Sequence, residues 1–213
     1  MKRYLAILVL LPLLAMGGRQ QGMGPGPGMP ASSGGGCANP FSDSFSGSGA
    51  LSSCWSVVAS VSGSYYIVQA SGVATLDTDF AYAMEIVSGG SFPRNQYAQY
   101  TITTFVGADS PIVQVCVEMS TSGNGYCYGT SGMIKYTAGS STRIDPYTCP
   151  TSFAAGNVIK ISITSAGVIT GYLNGTAGCT VTDTTYTSGY PGMYLSANHP
   201  TDLVASSFSA GTF

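Results

Sequence analysis

Charged side chains are scarce in this chain: 8% of its 213 residues are Asp, Glu, Lys or Arg, and the formal net charge is −2. Beyond Lys2 and Arg3 the basic residues are scattered singly, which excludes the electrostatic footprint of a nucleic-acid binder. There is one histidine and no C-x-x-C pair, which argues against zinc. The G-x-S-x-G elbow is missing, so His199 and Asp202 in SANHPTDL do not complete a recognisable nucleophilic triad. Glutamate occurs only at positions 85 and 118. Retaining glycosidases need two carboxyl groups about 5–5.5 Å apart, a spacing that alternate positions on one strand supply. Glu118 instead has Cys116 and Ser120 two places away, and Glu85 has Ala83 and Val87. Only a pair assembled from different strands would remain for a hydrolase. No segment shows a ten-residue amphipathic helical stripe, and no apolar run reaches the ~20 residues that span a bilayer.

What is present is apolar and small. The hydrophobic fraction is 44% and the aromatic fraction 11%, too high for a disordered chain and enough for one sizeable core. The start, MKRYLAILVLLPLLAMGG, has the layout of a secretory leader: Lys2 and Arg3, an apolar stretch Tyr4–Leu14, then small residues, with cleavage expected near Gly17. No cysteine follows the apolar stretch closely enough for a lipid anchor. Residues 18–36, dominated by Gly, Pro and Ser, form a linker with nothing to bury. Residues 37–213 then suit a single domain. Export places the six cysteines in an oxidising setting, where disulfides are expected. The expected location is secreted, extracellular or on the cell surface.

Within that domain nearly every segment alternates with period two. QYAQYTITTF (Gln96–Phe105), VIKISITS (Val158–Ser165) and VITGYLNG (Val168–Gly175) read as half-buried strands. FAYAMEIVS (Phe80–Ser88) reads as an apolar one. SGNG, TSGM, TSAG and YPG mark turns between them. About a dozen short strands predict an antiparallel two-sheet β-sandwich larger than an immunoglobulin domain. PIVQVCVEMSTSGNGYCYGT (Pro111–Thr130) is a hairpin. Alternation puts Val113, Val115, Val117 and Met119 on one face and Gln114, Cys116 and Glu118 on the other. Folding about Thr121–Ser122 sets Cys116 opposite Cys127, so a cross-strand disulfide is expected there, on the non-core face. Cys37 and Cys54 bracket the opening strand and are paired next, leaving Cys149 with Cys179, although six cysteines allow 15 connectivities.

The order of motifs resembles the concanavalin A-like lectin/glucanase group of jelly rolls, including laminin G-like domains, in its exported bacterial form. FSDSFSGSGALSSCW (Phe41–Trp55) resembles the opening of such domains, with Asp43, Phe45 and Trp55 in place of their D-x-F and following Trp. NQYAQYTIT, GVITGYLNGT, YPGMYLS and LVASSFSAGTF resemble later strands. The resemblance implies two curved antiparallel sheets with the chain ends close together. Phe45 and Phe208 would then share one core, and a structural calcium would sit at Asp43 and Asp202 where the ends meet. Asp77 and Asp79 in LDTDF are a second acidic pair, read here as turn chemistry. Domains of this group bind sugars or proteins, and some relatives hydrolyse glucans.

Alternation marks a polar sheet face bearing Gln114, Glu118, Lys160, Tyr172 and Asn174. Tyrosine rings and amides suit sugars, the ring covering an apolar sugar face and the amide bonding to hydroxyls. The expected function is therefore a secreted, non-catalytic module that binds a glycan on that face and requires no cofactor. A structural subunit of an extracellular surface layer or filament, assembling with itself or a surface partner, is the alternative. A glycoside hydrolase with an unrecognised site is the third reading.

Overall fold

A computed structural model describes residues 37–106 and 111–213. The leader and linker expected over residues 1–36 lie outside the described residues. Among the described residues the alternating segments become sixteen strands in two sheets. One sheet runs, in spatial order, β14 (Thr176–Thr182), β13 (Val168–Leu173), β12 (Val158–Ile163), β7 (Gln96–Phe105), β16 (Leu203–Thr212), β5 (Val73–Leu76), β4 (Ile67–Ala70) and β2 (Ser48–Ala50). A ninth strand, β1 (Phe41–Asp43), also pairs with β16. The seven-stranded sheet runs β11 (Ser140–Arg143), β10 (Gly132–Thr137), β9 (Gly125–Gly129), β8 (Ile112–Met119), β15 (Tyr190–Ala197), β6 (Ala81–Val87) and β3 (Trp55–Val57). All of these pairings are antiparallel. The architecture is the two-sheet β-sandwich jelly roll that the period-two pattern predicts.

β12 shows how the pattern works. Ile159, Ile161 and Ile163 are buried between the sheets, while Lys160 lies on the outer face. Branched side chains suit the pleated surface, and each alternate position is free to be polar. The inter-sheet core gathers Phe41, Phe45, Trp55, Tyr100, Tyr126, Tyr128 and Phe208 with the valines of β8. Phe45 and Phe208 both belong to it, and β1 lies against β16 with Asp43 opposite Phe208. The Trp55 and Phe208 rings meet edge-on at 4.7 Å.

The strand β8 departs from simple alternation at its end. Tyr190 pairs with Met119 but Gly192 pairs with Cys116, so β8 carries an extra residue. Glu118 absorbs it with a left-handed backbone, φ 52°. Such a bulge reverses the facing of the residues beyond it. Val113, Val115 and Val117 face the other sheet as expected, but Met119 joins Cys116 in a second apolar cluster on the opposite face.

That second cluster corrects another expectation. The outer face of the seven-stranded sheet is not a solvated polar surface. Met84, Ile86, Cys116, Met119, Cys127, Ile134 and Tyr136 are buried there, together with Val58. The segment Val58–Ser62, which includes the single helical turn α1 (Ala59–Ser62), covers them. The Val58 N–H donates to the Met84 carbonyl at 2.9 Å, and the Ser62 hydroxyl accepts from the Met84 N–H at 2.7 Å. Gly123 and Gly139 are bare because Ser60 occupies their side-chain space: a Cβ on either would fall within 2.4 Å of a Ser60 atom. The Cys116–Cys127 disulfide therefore lies inside a small core. The other disulfides are Cys37–Cys54 and Cys149–Cys179, and no cysteine is free.

No helix among the described residues is long and apolar enough to cross a membrane.

Candidate functional site

The five positions singled out from alternation do not share one surface. Gln114 is buried on the covered face, its side-chain Oε1 accepting the Tyr136 hydroxyl at 3.0 Å. Lys160 and Tyr172 lie on the outer face of the other sheet, opposite each other in register. Asn174 sits in the β13–β14 turn with φ 51°, and its side-chain oxygen caps the Val158 N–H at 2.8 Å. Glu118 is neither exposed nor on a sheet face. The bulge takes it to one end of the sandwich, where its side chain has no solvent exposure.

Glu118 is part of a polar network at that end. Arg94 Nε lies 3.1 Å from its Oε1, and its own N–H donates to Gln96 Oε1 at 3.1 Å. Burial pushes the Glu118 carboxyl up to about 7; Arg94 opposes the rise and nearby Asp183 adds to it. Asp183 begins the loop between β14 and β15. It accepts the Tyr126 hydroxyl at 2.7 Å, Lys135 Nζ at 2.9 Å and the Thr185 N–H at 2.7 Å. Burial works against the Asp183 charge, but the bonds from Thr185, Tyr126 and Lys135 outweigh it and hold the carboxyl well below its ordinary range. The Tyr186 N–H donates back to the Tyr126 hydroxyl at 3.1 Å. One carboxylate thus ties the loop that follows β14 to β9 and β10 of the seven-stranded sheet. Gly189 lets that loop press on β8, since a Cβ there would fall 2.3 Å from the Glu118 backbone.

Above this network lies a trough. One hollow of about 300 Å³ is lined by Ser120, Ser122, Asn124, Thr185, Tyr186, Thr187 and Ser188, with Glu118 in its floor. It adjoins a second of about 440 Å³, lined by residues that include Phe92, Thr121 and Tyr190, and the two share Ser120 and Ser188. Asn124 braces the β8–β9 turn, both internally and against the β10–β11 turn. Asn124 Oδ1 accepts the Ala138 N–H at 2.8 Å, and Asn124 Nδ2 donates to Ser122 Oγ at 3.1 Å. Hydroxyls, one amide and two tyrosines thus line a fixed concavity.

Glu118 and Asp183 thus have oppositely shifted acidities. Glu118 is sealed from solvent and Asp183 is saturated with donors. Glu85, the other glutamate, is likewise buried. Its Oε1 accepts the Ile67 N–H at 2.8 Å, and burial, helped by Asp77, lifts its carboxyl to about 7.

The expected calcium pair is corrected. Asp43 is occupied within its own motif, accepting the Phe45 N–H at 2.8 Å and the Trp55 indole N–H at 2.9 Å. Asp202 accepts the His199 N–H at 3.0 Å. Asp43 stands opposite Phe208, six residues along from Asp202. At ~3.3 Å per residue the two are on the order of 15–20 Å apart, too far for one ion. Asp77 and Asp79 also diverge: Asp77 accepts the Tyr66 N–H at 3.4 Å, and Asp79 lies 3.2 Å from His199 Nδ1. Among the described residues, no three His, Cys, Asp or Glu side chains are grouped to hold a metal.

Solved structures with this arrangement of sheets include carbohydrate-binding module CBM66 from Bacillus subtilis, which aligns with a TM-score of 0.55 at 14% identity over 75% of this chain and 96% of its own. The fold is a lectin-like β-sandwich. A structure from work on the endo-acting O-glycanases that human gut microbiota express to initiate mucin breakdown aligns at 0.51 and 9% identity, over 82% and 99%. The metal-free carbohydrate recognition domain of Emp46p aligns at 0.50 and 9% identity, over 75% and 88%. No protein-family profile matches the chain, and no curated protein does.

Alternation and motif do not single out Arg94, Lys135, Asp183 or Asn124 as site residues. Scarcity is the available signal: a chain with so few charges that brings four of them to one end invites the question of what they hold.

Proposed function

We propose that residues 37–213 form a secreted, non-catalytic carbohydrate-binding module of the concanavalin A-like, laminin G-like type, which takes a short uncharged glycan segment in the end trough rather than on a sheet face. The observation that carries this reading is the pair of adjoining hollows sharing Ser120 and Ser188. Their size falls in or near the range of small-ligand sites, about 300–1,000 Å³. Serine and threonine hydroxyls and the Asn124 amide can exchange hydrogen bonds with sugar hydroxyls, and the Tyr186 and Tyr190 rings offer apolar contact. The network beneath is already formed, so little ordering is needed on binding. The solved carbohydrate-binding modules and recognition domains of this fold support the ligand class, and the three disulfides suit an extracellular setting.

The test is a glycan array on the mature chain, followed by calorimetry with each hit. Asn124→Ala and Tyr186→Ala should each weaken binding of an uncharged oligosaccharide at least tenfold while the far-ultraviolet spectrum is unchanged. Binding that survives both substitutions would reject the trough as the site. Ordered assemblies in culture supernatant with no glycan binding would favour the structural-subunit reading instead.

A further inference from the structure

Four cationic side chains lie among the described residues: Arg94, Lys135, Arg143 and Lys160. Three are paired with carboxylates, Arg94 with Glu118, Lys135 with Asp183 and Arg143 with Asp145, at 2.9–3.1 Å. Lys160 has no carboxylate partner among the described residues. Its ammonium sits instead between two tyrosine rings, 4.8 Å from the centroid of Tyr97 and 5.3 Å from that of Tyr172.

The register explains the arrangement. On the outer face of the nine-stranded sheet, Lys160 of β12 stands opposite Tyr172 of β13 and Gln99 of β7, and Tyr97 stands opposite Ser162. Tyr97 also lies against Gly211 of β16, which has no side chain to compete for the space. The Tyr172 hydroxyl accepts from Ser162 at 3.4 Å, so one ring is held from below. Lys160, Tyr97, Tyr172 and Gln99 are all partly exposed. A cation flanked by ring faces loses rotamer freedom before any ligand arrives.

We infer that this face is a second sugar subsite, one for a glycan residue bearing a carboxylate or a sulfate ester: Lys160 meets the anionic group while Tyr97 and Tyr172 border the sugar ring and Gln99 takes a hydroxyl. This rests on the carbohydrate-binding reading above but not on the trough. An unpaired cation in a domain that pairs its other cations is an asymmetry that an anionic ligand would complete. A neutral sugar would leave it uncompensated.

The experiment measures binding of the intact mature protein to polygalacturonate and to dextran sulfate, with fully methyl-esterified pectin and dextran as the uncharged counterparts. One or both charged polymers should bind, the uncharged ones at least tenfold more weakly, and raising salt from about 50 to about 300 mM should weaken the binding. A preference between the two charged polymers tells carboxylate from sulfate. Lys160→Gln should lose at least tenfold in affinity for the charged polymer, while Lys160→Arg, which keeps charge and ring contact, should retain most of it. Tyr97→Ala and Tyr172→Ala should weaken it, and the Tyr→Phe versions should not. Asn124→Ala should leave it unchanged, which separates this subsite from the trough. Equal affinity for charged and uncharged polymers, unchanged binding by Lys160→Gln, or no binding of either charged polymer would each overturn the assignment. In that event trough-dependent binding of an uncharged oligosaccharide would leave the proposed function standing.

Discussion

Arg94 and Glu118 meet at 3.1 Å beneath the trough, with the Glu118 side chain sealed from solvent. With Glu85 buried as well, both glutamates of the chain are held at about 7, well above the 4.5 of a free side chain. Their folded-state values are raised, so the native protein binds more protons than the unfolded chain between about pH 4.5 and 7. The stabilisation is complete below pH 4.5 and is lost as pH rises towards 7. Each group contributes at most on the order of 3 kcal/mol over that window. Asp183 acts in the opposite sense, since its depressed value favours folding above its unfolded range and loses that contribution in acid. Denaturant titrations should therefore place maximal stability near pH 4–5, with a decline to neutrality. A flat profile between pH 5 and 7 would contradict the burial of these carboxyls.

Replacing Glu118 by Gln removes that titration and leaves a neutral amide beside Arg94. The decline between pH 5 and 7 should shrink by about half, because one of the two raised groups is gone. Neither parent nor variant should release reducing ends from a panel of β-glucans and other polysaccharides. Hydrolysis by the parent, abolished in the variant, would show Glu118 to be catalytic.

Phe45→Ala and Phe208→Ala each remove a ring from the core around Trp55, at a typical cost of about 3–5 kcal/mol. Against a total of ~5–15 kcal/mol, either should lower the melting temperature severely. Deleting residues 19–36 should change it little, because Gly, Pro and Ser offer no apolar face to bury. Comparable melting-temperature losses would move the domain boundary into that segment.

Asp43→Ala should destabilise the domain by about 1–3 kcal/mol by leaving the buried Trp55 indole without an acceptor. Chelator should have no effect on the parent's melting temperature. A chelator-induced drop would restore calcium to this region of the fold.

Intact mass before and after alkylation without reductant should be identical, since every cysteine is bonded. Labelling of the folded protein would indicate that at least one disulfide is incompletely formed.

Strand positions, the hairpin and its Cys116–Cys127 register are legible in the sequence because period two and turn residues encode them locally. The binding face is not. Alternation says that Gln114 and Lys160 point away from the core, but not that they do so on opposite sides of the molecule, which depends on strand order. It also cannot foresee a residue such as Glu118, where one left-handed backbone angle changes the facing of the chain. Nor does the short, unpatterned stretch Val58–Ser62 announce that it covers a sheet. Asp43 stands out for its place in a motif, but its partner, the Trp55 indole, is visible only in space.

The cover over the seven-stranded sheet has a chemical corollary. Val58–Ser62 rests on turns some 60 to 80 positions later in the chain, and local opening of a segment of this kind need not part the sheets beneath it. While it is down, a thiol reagent cannot approach the sulfurs of Cys116 and Cys127. The rate at which a small reductant opens that bond in native protein would then clock the lifting of one five-residue segment and not the unfolding of the domain.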